Sequence, residues 1–229
     1  MPAPLLKGLS PNLHAGVSHR LPRPTIASGI LGRGADRIGT SCEYFREAGT
    51  LESVTHSCRP GSLTMKHGDF SWVTTSELRR LATATTPWNY YLATEVYISI
   101  PEIAGVVRPV FDGGCAEPPF GPLHVVSATQ PGSDPDSYEN VERLAVLDRE
   151  LQDLGIESVP ALGRSFDGKH QEQSRAVFGL DDIAARALGA RFGQVAIFSW
   201  KGPWWSLLAC TDARTERQAW RWEPASSDR

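Results

Sequence analysis

Residues 123–162, LHVVSATQPGSDPDSYENVERLAVLDRELQDLGIESVPAL, hold the clearest pattern in the chain: a strand, a helix and a second strand in succession. Asp136 is predicted to cap the helix, and Glu139, three residues on, completes a capping box. The apolar stripe of the helix follows leucines spaced three and four residues apart and extends back to Asn140. Gly155 suits the left-handed turn that ends a helix. The strand before the helix is apolar enough to be buried on both faces.

Further elements flank this unit on both sides. They are predicted from period-two runs, apolar helical spacing and the glycines and prolines between them. The predicted elements are a helix at 76–83, strands at 90–100, 123–129, 156–162 and 174–180, a helix capped by Asp181, and a final hairpin of strands 194–200 and 204–210. Their order, β-β-α-β-β-α-β-β, predicts the α+β class, a mixed β-sheet covered by two main helices.

The composition of the chain changes near Met65. All seven tryptophans follow this residue, whereas residues 1–64 are rich in proline and basic residues and show no sustained periodicity. We therefore predict that residues 1–64 form a disordered N-terminal arm and residues 65–229 a single globular domain. The arm has three open interpretations: a dispensable tail, an organelle transit peptide, or an upstream stretch that results from the choice of start codon.

Charge and cysteine content limit the classes of function. The formal net charge is -3 and the pI about 6.1, which argues against a surface for nucleic acid or anionic membranes. No apolar run approaches the roughly 20 residues of a membrane helix, and no secretory signal is recognisable. The four cysteines form no CxxC pair, so a reducing compartment is expected. These observations predict a cytoplasmic protein with no metal and no cofactor.

Polar residues at a strand end and a helix start form the first candidate site. Thr129 and Gln130 close the second predicted strand, and Asn140 lies one turn inside the following helix, on its apolar side. Ligands often bind where a strand ends beside a helix N-terminus, because the first helical N–H groups lack partners. The alternative is that Asn140 satisfies loop carbonyls around residues 131–135.

A second polar group surrounds the start of a later strand. His170 and Glu172 are candidate acid–base groups, because both side chains can titrate near neutrality in a cleft. Ser174 and Gln194 add a hydroxyl and an amide as candidate ligand-binding groups. The alternative is an exposed hairpin after the Asp167-Gly168 turn, with no functional role.

Several short motifs between residues 88 and 212 resemble a bacterial family known as domain of unknown function 3293. The motifs are Ser127-Ala128-Thr129-Gln130-Pro131, Glu139-Asn140 followed by the leucines 144–151, Glu172-x-Ser174, and Phe192-Gly193-Gln194-x-Ala196. Two positions depart from the family pattern, with Gln130 in place of asparagine and His170 in place of tryptophan. The resemblance implies a small soluble bacterial domain and brings no activity, substrate or cofactor.

Two classes of function remain after these exclusions. The first is a non-catalytic module that binds a small polar ligand or a protein partner through Thr129, Gln130, Asn140, Ser174 and Gln194. The alternative is a small hydrolase or transferase in which Glu172 is the general base and Asn140 or Gln194 polarises the substrate. A raised Glu172 pKa would favour the enzyme. A purely structural subunit would instead expose an apolar patch around Trp204, Trp220 or Trp222.

Overall fold

The structure is a computed structural model that describes residues 41–45, 51–55, 65–100, 103–110 and 119–225. Most of the predicted N-terminal arm, residues 1–64, lies outside the described residues. The helices are α1 (Thr75–Thr83), α2 (Thr85–Leu92), α3 (Tyr138–Asp153) and α4 (Asp182–Arg191), with a short 3-10 helix at His67–Asp69. The strands are β1 (Ser41–Phe45), β2 (Leu51–Thr55), β3 (Thr94–Ile100), β4 (Ile103–Val110), β5 (Leu123–Ser127), β6 (Ser158–Ser165), β7 (Gln171–Phe178), β8 (Ala196–Lys201), β9 (Trp204–Ala209) and β10 (Thr215–Pro224).

Eight strands form a closed barrel in the order β10-β4-β3-β6-β7-β5-β8-β9, and β1 and β2 pair separately as an antiparallel hairpin. Every neighbouring pair in the barrel is antiparallel, and β10 closes it by pairing with β4 on one side and β9 on the other. The predicted α+β class, a mixed sheet covered by two main helices, is therefore wrong. The sequence prediction lacked β4 and β10, the two strands without which the sheet cannot close.

The two main helices pack against the outer face of the barrel. Leu147 on α3 and Leu188 on α4 belong to one apolar cluster with Val126 of β5 and Ile197 of β8. The α3 helix is capped by Ser137, whose hydroxyl accepts a hydrogen bond from a backbone N–H one turn on, so the predicted cap Asp136 is wrong by one residue. The predicted Asp181 cap of α4 is confirmed.

One end of the barrel interior is filled by a layer of tryptophans. Side chains alternate between the two faces of each strand, and the inward positions of β8, β9 and β10 are aromatic here. We call the buried Trp200, Trp205 and Trp220, together with the half-buried Trp222, the tryptophan layer. The rings of Trp200 and Trp220 lie 4.3 Å apart between centroids, in an edge-to-face arrangement.

Further along the same strands, α1 and α2 pack against the barrel. Leu78 and Ala82 on α1 and Trp88 on α2 join Val195 and Leu207 in a second apolar cluster. The α2 helix replaces the beginning of the strand predicted at 90–100, which starts only at residue 94. Among the described helices, none has both the length and the apolar character that crossing a bilayer would require.

Candidate functional site

A cavity of about 660 Å³ lies in the barrel between the tryptophan layer and the two N-terminal helices. Its apolar lining includes Leu81 of α1, Val96 of β3, Val125 of β5, Phe198 of β8 and Leu207 of β9. Its polar lining comes from α1, α2, several barrel strands and the loops at their ends. The polar side chains are Glu77, Tyr90, Tyr91, Thr94, Ser127, Arg164, Ser165, His170, Glu172, Ser174 and Gln194.

The β7 strand places Glu172 in this cavity. Side chains along β7 alternate between the two faces of the strand. The interior face carries Glu172, Ser174 and Ala176, and the opposite face carries Arg175 and Val177, which contact α3 and α4. Across the β6–β7 ladder, Glu172 is paired with Gly163, which has no side chain to cover it. The carboxyl of Glu172 therefore has open space in front of it.

Burial raises the pKa of Glu172 above its usual value, because the charged form loses contact with water. Hydrogen bonds from the Ser127 and Thr129 side chains and the charge of the exposed His170 oppose this effect but do not cancel it. The Ser127 hydroxyl has one proton and also lies 3.1 Å from the Gln173 carbonyl oxygen, so it cannot serve both acceptors at once. The pKa of Glu172 thus stays above its usual value.

Tyr91 on α2 reaches toward the same carboxyl. Burial, the nearby charge of Glu172 and that of Cys210 raise its pKa to about 12. The phenol therefore stays neutral at physiological pH, and it remains both a hydrogen-bond donor and an acceptor. Tyr90, its neighbour on α2, is mostly exposed and also lines the cavity.

Gln194 holds the wall of the cavity at the end of β5. Its amide Nε2 donates hydrogen bonds to the backbone carbonyls of Thr129, at 2.9 Å, and Phe192, at 3.3 Å. The backbone N–H of Thr129 donates in turn to the Ser127 hydroxyl, at 3.1 Å. These bonds tie the loop after α4 to the loop after β5.

Asn140 and Gln130 lie behind the cavity rather than in its lining. Asn140 accepts a hydrogen bond from the backbone N–H of Gln130 at 3.0 Å and donates to Ser133 Oγ and the Asp134 carbonyl at 2.8 and 2.7 Å. The Gln130 side chain accepts from the buried Arg143 at 2.8 Å. Asn140 therefore satisfies its own loop, as the alternative interpretation of this residue stated, and that loop supplies part of the cavity rim through residues 131–132.

The structure brings together part of the predicted site. Glu172, Ser174, Gln194 and His170 line one cavity, and Thr129 lies directly behind Gln194 and Glu172. The alternative of an exposed hairpin holds for His170 only, since Glu172 is inside the barrel. Sequence analysis missed the cavity side chains of the two N-terminal helices and of the strand ends, namely Glu77, Tyr90, Tyr91, Ser127 and Arg164. Among the described residues, no three His, Cys, Asp or Glu side chains are grouped as metal ligands.

Comparison with protein families gives one match. Residues 126–197 match the model of a family described as protein of unknown function, DUF3293. The predicted resemblance is confirmed over this segment. The DUF3293 segment supplies Glu172, Ser174 and Gln194 to the cavity, whereas α1, α2 and their tyrosines lie outside it. No curated protein and no solved structure matches the chain significantly.

The raised pKa of Glu172 has a consequence for stability. A carboxyl with a higher pKa in the folded chain than in the unfolded one stabilises the fold fully at low pH, and this contribution is lost as pH rises through the folded value. The glutamine in Glu172→Gln has no charge at any pH, so the variant does not lose this stability as the pH rises. We expect its melting temperature to exceed that of the wild type at about pH 8 and to equal it below about pH 4.

Thermal melts followed by circular dichroism at the two pH values would measure this difference. Glu157→Gln, which removes an exposed carboxyl just before β6, is the matched control and should leave the midpoint unchanged at both. A lower midpoint for Glu172→Gln at the higher pH would mean that stabilising contacts hold the carboxylate, contrary to this expectation.

Proposed function

We propose that this barrel binds one small, mostly apolar molecule in its cavity and that Glu172 fixes the polar end of that molecule. The observation that carries the proposal is a cavity of about 660 Å³ inside a closed barrel, with a largely apolar lining and the Glu172 carboxyl, which has no lysine or arginine partner, at its wall. Ligand pockets typically measure about 300–1,000 Å³ and combine such a lining with a few polar groups. Closed eight-stranded barrels are of a size to hold one small ligand.

The stability cost of Glu172 supports a role in binding rather than in folding. A half-buried carboxyl that faces an apolar cavity without a lysine or arginine partner costs free energy, and a leucine or glutamine at the same place would avoid that cost. Groups that are retained against stability are typical of functional sites. The interior cavity also favours a small ligand over a protein partner. Of the tryptophans considered for a docking patch, Trp220 is buried and only Trp204 is exposed.

A cavity-filling variant tests the proposal. An added Cβ at Gly163 would meet only Thr94 Cγ2 at 3.6 Å and the Glu172 carbonyl oxygen at 3.8 Å, which are ordinary contacts. Gly163→Leu therefore fits the backbone and extends its side chain into the cavity. We expect it to weaken uptake of the uncharged fluorophore N-phenyl-1-naphthylamine at least about tenfold, because the apolar space is filled.

Fluorescence titration with the purified full chain measures this uptake. Gly68→Leu is the control, since Gly68 is exposed and a Cβ there has no neighbour within 4 Å. The control should bind the fluorophore as the wild type does. Wild-type protein that takes up no fluorophore, or Gly163→Leu protein that takes it up unchanged, would contradict the proposal.

A second candidate function is acid–base catalysis by Glu172, and the raised pKa of this group favours it. The partners are less favourable than the sequence suggested, because the Asn140 amide is fully engaged with its loop and the Gln194 amide nitrogen with two carbonyls. Turnover of ester, amide or phosphoester substrates would identify this function. It would have to disappear in Glu172→Gln while uptake of the fluorophore remained.

A further inference from the structure

Glu172 differs from the other carboxyl in the cavity lining by lacking a lysine or arginine partner. Glu77 on α1 is paired with Arg80, whose guanidinium nitrogen lies 2.6 Å from it. Within the described part of the chain, Glu172 contacts hydroxyl groups and no lysine or arginine. A carboxylate in an apolar cavity is costly to ionise without a partner of opposite charge. The missing charge can come from the ligand.

Hydrogen-bond acceptors surround this carboxyl on two different elements. The Ser174 hydroxyl has its single proton directed at the Glu172 backbone carbonyl, 3.3 Å away, so its lone pairs remain available toward the cavity. The Tyr91 phenol is held near Glu172 by α2 and keeps an acceptor oxygen. A primary ammonium group carries three N–H donors and no acceptor, and a carboxylate plus two hydroxyl oxygens is the complement of that set.

From this juxtaposition we infer that the ligand is an amphipathic primary amine, whose ammonium group pairs with Glu172 beside Ser174 and Tyr91 and whose apolar body fills the cavity. The inference rests on the proposed binding function and names its ligand class. Of the two other basic groups in the cavity lining, only His170 acts on the charge of Glu172, and within the described residues no hydrogen bond joins the two side chains. Arg164 packs its guanidinium over Gly168 in the β6–β7 turn, and His170 is exposed at the start of β7.

An anionic ligand is the alternative that the same cavity would have to exclude. Such a molecule would place its charge near Arg164 and His170, leaving Glu172 protonated and unpaired. An uncharged alcohol would need neither arrangement. Three ligands of one shape and different charge therefore separate the cases: tryptamine, tryptophol and indole-3-propionate.

The experiment is displacement of N-phenyl-1-naphthylamine from the full chain by each of the three indoles at pH 7.5. We expect tryptamine to displace the fluorophore at least about tenfold more effectively than tryptophol, and indole-3-propionate to be the weakest. In Glu172→Gln, whose own affinity for the fluorophore is titrated first, the advantage of tryptamine over tryptophol should fall to about twofold or less. Glu157→Gln removes an exposed carboxyl of the same charge and should keep the full advantage.

The other outcomes contradict the amine ligand, the role of Glu172 or the binding function, depending on the result. Equal displacement by tryptamine and tryptophol, or strongest displacement by indole-3-propionate, overturns the amine and leaves the binding function standing. An unchanged advantage in Glu172→Gln removes Glu172 as the partner of the ammonium group. Absence of fluorophore uptake in the wild type overturns the binding function and the inference together. The wild-type series alone decides the charge preference if Glu172→Gln does not fold.

Discussion

Replacing Trp200 with alanine is expected to lower the free energy of unfolding by about 3–5 kcal/mol, the range for truncating a large buried aromatic side chain. Trp200 is 0% exposed and occupies the centre of the tryptophan layer. Its ring has centroids of Trp205, Trp220, Trp222 and Phe120 within 6.1 Å. These ring neighbours come from three separate segments of the chain, β9, β10 and the residues just before β5, so the cavity left behind cannot collapse easily.

Thermal or urea unfolding followed by circular dichroism measures this effect, and the midpoint should fall by about 6–20 °C for a domain of this size. Trp204→Ala provides the matched control four residues away, because Trp204 is 47% exposed. We expect the control to change the free energy of unfolding by less than about 0.5–1 kcal/mol. Comparable losses for the two variants would contradict the assignment of Trp200 to the barrel interior.

Replacing Asp148 with alanine is expected to cost about 3 kcal/mol, because it leaves the buried Arg175 without its counter-charge. The Arg175 side chain on β7 is 6% exposed and donates from Nε and Nη2 to the two carboxylate oxygens of Asp148 on α3, at 2.6 and 2.7 Å. Such a bidentate ion pair fixes the relative orientation of the guanidinium and carboxylate groups. Asp148 is 32% exposed, so water offsets part of the loss and the lower end of the range applies.

The control on the same helix is Asp153→Ala, which removes an exposed carboxyl of the same charge near the end of α3. We expect it to leave the free energy of unfolding nearly unchanged. The double variant Asp148→Ala/Arg175→Leu should recover much of the loss, since no unpaired charge remains. A double variant no more stable than Asp148→Ala alone would show that the packing of these side chains, and not the orphaned arginine, causes the destabilisation.

Local elements with strong signals were predictable from the sequence, and the closure of the sheet was not. The α3 helix and the Asp181 cap follow from spacing and capping residues alone. The β4 strand is disguised by Gly105 and Pro109, two residues that are uncommon in strands. Gly105 is required by tertiary packing, since a Cβ there would lie 2.4 Å from the Trp222 ring. No local pattern in β4 could indicate a contact with a residue so far along the chain.

The sequence of β10 has the pattern of a strand, although no strand was predicted there. Trp220 and Trp222 alternate with Arg221 and Glu223, which is the period-two pattern of a strand with one buried face. The α2 helix is the opposite case: a proline usually ends a helix, and Pro87 lies between the helix predicted at 76–83 and the strand predicted at 90–100. Pro87 lies in the first turn of α2, where its lack of an N–H costs nothing.

Several residues of the candidate site were predictable from the sequence, but their arrangement around one cavity was not. Glu172, Ser174 and Gln194 stood out as polar groups near strands, whereas the side that each faces depends on how the sheet closes. The predicted strand began at 174 and left Glu172 in a turn, although β7 begins at Gln171 and carries Glu172 into the interior. Tyr91 was assigned to a strand, so its approach from a helix could not be foreseen.

Because β10 closes the barrel, the barrel can form only late in the synthesis of the chain on the ribosome. The strand pairs Gln218 with Trp205 of the preceding strand β9 and Trp220 with Pro109 of β4, so it joins β4 to a segment that is synthesised much later. Until residues 215–224 leave the exit tunnel, β4 and β9 are open edges that can pair with other chains. Pairing of such long sequence separation is also slow to form. The nascent chain therefore exposes these two strand edges until β10 has emerged and paired with both of them.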